Sequence, residues 1–244
     1  MKKEIRPILL IETSTEACSV ALSNGSALIE EIYLEEPKAH ASVVAPFVER
    51  LLKGNELAAC ELAAVAVSKG PGSYTGLRVG VSVAKGICYA ASIPLIGVST
   101  LATIAECALE SSGEMVESCN GNLLIVPMID ARRMEVYTAT YNREMEEVAP
   151  VCAKILEKES YSNQLSESTL LFTGNGAEKF KELLASEGAL SPNALFLKKM
   201  PQASGMRRLA AKALEMGKFE DVAYFQPFYL KEFVAGKPKK LLKF

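Results

Sequence analysis

The sequence predicts an α/β protein of two similar domains, each a mixed sheet with an antiparallel three-strand meander and flanking helices. Three observations predict this class. Short apolar runs alternate with stretches of helical periodicity. The order three strands, helix, strand, helix occurs once and then again in weaker form. Between the two lies SSGEMVESCNG, residues 111–121, with no apolar periodicity.

The elements follow in order. Residues 7–11, PILLI, are a short continuous apolar run and read as a buried strand. Residues 18–23 alternate and are followed by Asn24-Gly25, a hairpin signal, with the return strand at 27–34. In residues 39–53, Val43, Val44, Phe47, Val48, Leu51 and Leu52 recur at helical spacing, and Gly54 is a stop. Pro46 lies inside that pattern, so the regular helix starts near it or is kinked there. A buried strand at 62–68, a glycine loop, a helix to about Ala91, a short strand at 94–98 and a helix at 99–110, capped by Ser99 or Thr100, complete the first half. The second half reads as strands at 122–130, 134–141 and 147–156, a strand at 170–173, a helix at 177–187, a short strand near Leu195 and a helix at 205–216. The expected domains are therefore 1–110 and 122–230, with a basic tail at 231–244.

Bulk properties exclude several classes. The net charge of -2 is wrong for a molecule that binds nucleic acid with its whole surface, so any RNA contact has to be local. The six cysteines are scattered, and no pair has CxxC spacing, which argues against a zinc ribbon or a thioredoxin-type site and for small core residues in a reducing cytosol. The apolar run 8–11 is too short for a signal-peptide core, and no uncharged apolar stretch approaches the roughly 20 residues that span a bilayer. A soluble, cytoplasmic protein is expected.

Gly70-Pro71-Gly72-Ser73-Tyr74-Thr75-Gly76 joins a buried strand to a helix. Its glycines and the helix N-terminus suit a phosphate, or equally a tight structural turn with Ser73 or Thr75 as N-cap. It is not a P-loop, because Leu77 stands where the lysine belongs, nor GxGxxG, because Thr75 replaces the third glycine. The helix that follows is apolar over most of its circumference. Leu77, Val81, Ala84 and Cys88 form one row, Val79, Val83 and Ile87 another, and Arg78, Ser82, Lys85 and Tyr89 a polar stripe. One apolar row covers the helix's own sheet. The other needs a second cover, either the other domain or a partner's helix.

Candidate chemistry is sparse. The single histidine, His40, removes HExxH and every two-histidine metal site within one chain, and no GxSxG elbow presents a nucleophile. Glu12-Thr13-Ser14-Thr15 follows the first strand, and Asp130-Ala131-Arg132-Arg133 occupies the matching place in the second half. An acid and hydroxyls at a strand end can hold a metal–phosphate or cap a turn. An Asp with two Arg can orient a phosphate or form a hairpin salt bridge. Gly174-Asn175-Gly176 is a further turn that suits an adenosine.

Taken together, residues 8–22 (ILLIETSTEACSVAL), 40–52 (HASVVAPFVERLL), 69–80 (KGPGSYTGLRVG) and 128–137 (MIDARRMEVY) resemble the TsaB (YeaZ) family, a glycoprotease-like branch of the actin-like ATPase superfamily. Residues 227–230, PFYL, resemble its closing motif. The resemblance implies two actin-like (RNase H-like) domains and a part in forming N6-threonylcarbamoyladenosine at position 37 of tRNAs that read codons starting with A. It implies a non-catalytic partner. Transfer belongs to the related TsaD, which holds a metal through paired histidines, and the ATPase TsaE joins the pair. ATP or ADP and a metal are expected in that complex and none tightly on this chain alone. tRNA is expected through the complex, and a homodimer when TsaD is absent.

By the same analogy the docking surface comprises His40, Val44, Phe47, Leu51, Arg78, Val79, Ser82, Lys85 and Tyr89. Glu12, Thr13, Ser14, Gly70, Gly72, Ser73, Asp130, Arg132, Gly174 and Gly176 are candidates for a vestigial nucleotide site. The chain departs from the family at its end, where residues 231–244 carry five Lys and one Glu, formally +4; this is a mobile tail or a contact with tRNA or a partner. A glycoprotease-like peptidase and a stand-alone actin-fold ATPase are the competing readings.

Overall fold

The computed structural model describes residues 6–36, 40–117, 119 and 122–231. The first half contains β1 (Ile8–Glu12), β2 (Ala17–Asn24), β3 (Ala27–Glu35), α1 (His40–Gly54), β4 (Ala64–Gly70), α2 (Tyr74–Ala91), β5 (Leu95–Ser99), α3 (Thr100–Ser111) and the short α4 (Gly113–Glu117). The second contains β6 (Leu123–Asp130), β7 (Glu135–Asn142), β8 (Glu147–Ile155), α5 (Ser162–Glu167), β9 (Thr169–Thr173), α6 (Ala177–Ser186), β10 (Ala194–Leu197) and α7 (Arg207–Glu215).

The strands form two five-stranded sheets, β3-β2-β1-β4-β5 and β10-β9-β6-β7-β8. Reversed, the second order matches the first, so the two sheets share one topology: an antiparallel meander whose first strand pairs in parallel with the strand after the helix. This is the actin-like arrangement. The apolar run of β1 is buried along its whole length, as a central strand covered on both faces requires. In the second lobe, Tyr161, Phe172, Phe180 and Phe196 pack ring against ring, with Phe172 and Phe180 5.1 Å apart in an edge-to-face pair.

Several expectations change in detail. The hairpin turn is Gly25-Ser26, with Gly25 at φ 58°, and Asn24 is the last residue of β2, facing Ala27. The helix around Pro46 starts at His40 and runs through the proline, which sits on the exposed side. The stretch expected to be a linker holds α4.

The larger correction concerns the helices between the sheets. The helix expected to close the second domain, α7, lies against β1 and β5 of the first sheet, and its Ala210 joins Ile8, Leu10, Ala64 and Ile96 in one core. In turn α3, expected in the first domain, contributes Leu101, Ile104 and Ala105 to a core with Ile125, Ile129 and Tyr141 of the second sheet. Each half therefore covers apolar surface of the other, and no single cut at 111–121 separates them.

Candidate functional site

The β1–β2 loop and the glycine loop are built against each other. The Ser73 N–H donates to the Ser14 carbonyl at 2.6 Å, and Thr13 Oγ1 donates to the Gly76 carbonyl at 2.8 Å. A Cβ at Gly72 would strike the Ser14 carbonyl, and one at Gly76 the Thr13 carbonyl. Ser73 caps α2, its Oγ accepting from the Gly76 N–H at 3.2 Å, and the Leu77 N–H closes on the Ser73 carbonyl. The glycines thus permit close approach of two loops, and the N–H groups of Ser73, Gly76 and Leu77 are spent inside the protein. That favours the structural turn over the phosphate cradle.

Glu12 lies beneath this junction, fully buried. Its Oε1 accepts the Ser14 N–H at 2.6 Å, while Oε2 has no hydrogen-bond partner among the described residues. Burial pushes its carboxyl up to about 7, against the opposing bonds from Ser14, Ser68 and Thr13.

The second lobe presents the β6–β7 hairpin. Arg132 and Arg133 occupy its tip at φ 71° and 48°, and the Glu135 N–H closes the turn on the Arg132 carbonyl. Asp130 accepts the Arg132 N–H at 2.7 Å and an ion pair from Lys179 of α6 at 2.7 Å. Burial raises the Asp130 carboxyl, but Lys179 and the Arg132 N–H outweigh it and hold it below the ordinary value. The salt-bridge reading of this turn is therefore the one realised, with a lysine from α6 as partner. Between the lobes lies a cleft of about 740 Å³, with Ser14, Thr15, His40 and Ser73 on one side and Asp130, Arg132, Tyr137 and Asn175 on the other.

A second surface surrounds α2. Leu77, Val81, Ala84 and Cys88 are buried on the first sheet, while Val79, Val83 and Ile87 are half-buried. Part of their cover comes from α1 and part from the segment after α7. Val222 and Phe225 pack on the first core, Lys85 Nζ donates to the carbonyls of Ala223 and Phe225 at 2.9 and 3.1 Å, and the Tyr229 ring lies tilted by 38° against Tyr74, centroids 4.9 Å apart. The Phe228 N–H reaches the Lys69 carbonyl at 2.6 Å, and Gly70 has no room for a Cβ because the Phe228 carbonyl lies 2.5 Å away. Among the described residues, two apolar grooves lined by Ile87 stay open. One of about 400 Å³ runs between α1 and α2 over Ala45, Val48, Leu52, Val83 and Ile87. The other, about 450 Å³, lies along Cys60, Gly86, Ile87, Ala90 and Ala91.

A family model described as "TsaD: tRNA N6-adenosine threonylcarbamoyltransferase" matches residues 35–238. The tRNA threonylcarbamoyladenosine biosynthesis protein TsaB of Escherichia coli (strain K12) is 32% identical over 234 residues, covering 94% of this chain and 96% of that one. The protein of the same name from Haemophilus influenzae is 30% identical, covering 94% and 95%. The crystal structure of YeaZ from Pseudomonas aeruginosa superposes with a TM-score of 0.75 at 26% identity, covering 92% of this chain and 99% of that chain. The chain belongs to the TsaB (YeaZ) family. The match to a TsaD model makes this TsaB-family chain a homologue of the transferase as well.

Within this member of the TsaB family, the expected site residues divide. Of the nucleotide-site candidates, Ser14, Gly72, Ser73, Asp130 and Arg132 line the cleft. Glu12 lies behind it and Thr13 is buried against Gly76 and Gly80. Gly70 faces the C-terminal segment, and Gly174 and Gly176 pack on Met128 of β6. Of the docking candidates, Val44 and Leu51 are corrected: both are fully buried in the first core, because they fall on the sheet-facing side of α1. His40 is corrected too. It is 8% exposed, its Nε2 lies 3.1 Å from the Ala17 carbonyl, and it faces the cleft. Phe47, Val79 and Lys85 are half-buried, and Arg78, Ser82 and Tyr89 are exposed, Tyr89 at 84%. Arg78 lies over the Tyr74 ring and donates to Tyr229 Oη at 3.3 Å.

Sequence reasoning misses Tyr137 and the segment 220–229 as site components. Asn175, in the Gly-Asn-Gly turn singled out from the sequence, lines the cleft, and its Oδ1 accepts the Asp130 N–H at 2.9 Å. Among the described residues no helix is long and apolar enough to cross a membrane.

Proposed function

We propose that this chain is the non-catalytic partner of TsaD in forming N6-threonylcarbamoyladenosine on tRNA, and that it docks through the outer face of α1 and α2. The curated relatives are named for tRNA threonylcarbamoyladenosine biosynthesis, and family membership supports the same process here. The observation that carries the docking role is the pair of apolar grooves meeting at Ile87, with Gly86 so open that a Cβ there would touch nothing within 4 Å. Small residues at Gly86 and Ala90 let a partner helix approach closely, and Phe47, Val83, Ile87 and Tyr89 supply its contacts. TsaD, being homologous over residues 35–238, offers the corresponding helix pair. A second copy of this chain fills the same face when TsaD is absent. ATP or ADP, the metal and the transfer step belong to the complex with TsaD and TsaE, which tRNA enters.

The polar groups of this chain support that division. Asp130 is paired with Lys179, the Ser73, Gly76 and Leu77 amides are internally bonded, and the one histidine sits against a backbone carbonyl. The test is co-elution of the full chain with TsaD, with tRNA modification assayed in a mixture that also holds TsaE. Ile87→Glu places a charge in the proposed contact and should weaken association at least about 100-fold while the monomer stays folded, since burying an unpaired carboxylate costs several kcal/mol. Undiminished co-elution of Ile87→Glu, or full modification without this chain, refutes the proposal.

A further inference from the structure

We propose that the segment after α7, at residues 219–225, is a second wall of the docking surface, held in place by Lys85, and that it selects a partner helix carrying a basic residue. The inference rests on the docking role proposed above and deepens it. A third groove, of about 620 Å³, runs along the other side of α2, between Lys85, Gly86 and Tyr89 and the residues Asp221, Val222 and Ala223. Gly86 lines both this groove and the one beside Cys60. An α-helix with its side chains is about 10 Å across. On the α2 wheel, Val83 and Ile87 lie to one side of Gly86, and Lys85 and Tyr89 to the other. A helix seated over Gly86 therefore meets α1 on its first side and residues 221–223 on its second.

The second wall carries the exposed rings that an interface needs. Tyr89 is 84% exposed and Tyr224 83%, the two highest values among the large apolar side chains described. Rings this exposed add little to the fold, and tyrosine is a favoured anchor where two proteins meet. The wall itself is well fixed. The Glu220 N–H donates to the Leu95 carbonyl at 2.8 Å, Phe225 packs on the first core, and Lys85 Nζ holds the carbonyls of Ala223 and Phe225 between them. Lys85 is thus a positioning residue, with its donors turned to the segment.

Charge gives the partner's chemistry. Asp221 is exposed, and its Oδ1 accepts the Ala223 and Tyr224 N–H groups at 2.7 and 3.0 Å. Its carboxylate has no ion-pair partner among the described residues. The last turn of α2, which borders the same groove, carries no basic residue to offset the negative end of the helix. The groove therefore favours a lysine or arginine beside the partner's apolar anchors. The two cations of this chain's own α2 are engaged internally, Arg78 with Tyr229 and Lys85 with the segment. That favours the α2-like helix of TsaD over a second copy as the occupant.

The experiment measures the dissociation constant of the full-length chain with TsaD at about 50 and about 300 mM KCl. Tyr224→Ala should weaken binding about tenfold at unchanged Tm. Asp221→Asn keeps an acceptor for the turn and removes only the charge, so it should weaken binding about threefold at low salt and have little effect at high salt. Lys85→Met should weaken binding about fivefold and open residues 219–225 to limited proteolysis, and Asp221→Asn should then add nothing further. Parental dissociation constants for both Tyr224→Ala and Asp221→Asn overturn the inference. So do an Asp221→Asn effect independent of salt, full additivity with Lys85→Met, and losses confined to self-association of this chain. The two proposals fail separately. Co-elution that is lost in Ile87→Glu but parental in Tyr224→Ala and Asp221→Asn removes only the second wall, whereas undiminished co-elution of Ile87→Glu removes the docking role itself.

Discussion

Replacing Glu12 by glutamine should remove a pH-dependent contribution to stability. Glu12 is fully buried with one carboxylate oxygen unpartnered, and its carboxyl is raised from the ordinary 4.5 to about 7. At 1.36 kcal/mol per pH unit, that difference corresponds to about 3 kcal/mol. The sign follows from linkage. The folded chain holds this proton more tightly than the unfolded chain, so the contribution is fully present below pH 4.5 and is lost as pH rises through about 7. Glutamine is neutral throughout and keeps a carbonyl for the Ser14 N–H. The facing thiols of Cys18 and Cys107 ionise only near 12 and leave the window clear. Urea unfolding of both proteins from pH 5 to 8 should shift their stability difference by about 2–3 kcal/mol in favour of Glu12→Gln as pH rises. A difference independent of pH would mean that Glu12 is ionised in the folded protein, and the account of the loop junction would fail.

Gly76→Ala sets a Cβ against the backbone carbonyl of Thr13, so it should cost about 2 kcal/mol or more; an unchanged Tm refutes the close packing of the two loops. Phe225→Ala removes the ring that the C-terminal segment packs on the first core, and should cost about 2 kcal/mol and expose residues 219–231 to limited proteolysis. Protease resistance equal to the parent would mean that Lys85 and Phe228 hold the segment alone.

The sheets were legible because their signals are local. β1 is a continuous apolar run, β2 alternates, and the same order recurs from β6, so the topology follows from pattern and repetition. What lay between the sheets was not legible. The periodicity of α3 and α7 reports an apolar face but not which sheet receives it, and α7 returns to β1 across almost the whole chain. The same limit explains Val44 and Leu51, which belong to a correctly recognised helix but to its inward side. The C-terminal segment has no period at all. Its place is set by Lys85, Lys69 and Gly70, which lie far away in sequence.

Acids at the ends of β1 and β6, a glycine loop before a helix and a cleft between two lobes are the outline of a reaction site. Yet Glu12 is sealed under the loop junction, Asp130 is bound to Lys179, and the amides of Ser73, Gly76 and Leu77 answer Ser14 and Ser73. These bonds leave Ser14 Oγ and Thr15 Oγ1 on the cleft wall, and Glu12 Oε2 behind it, without a hydrogen-bond partner among the described residues. On α2, by contrast, Ile87 and Gly86 border apolar grooves that folding has not filled. Water is a poor occupant for such grooves, and the surface gains most from another protein. Under the docking role proposed above, mutations at Ile87, rather than at Glu12 or Asp130, are expected to decide function.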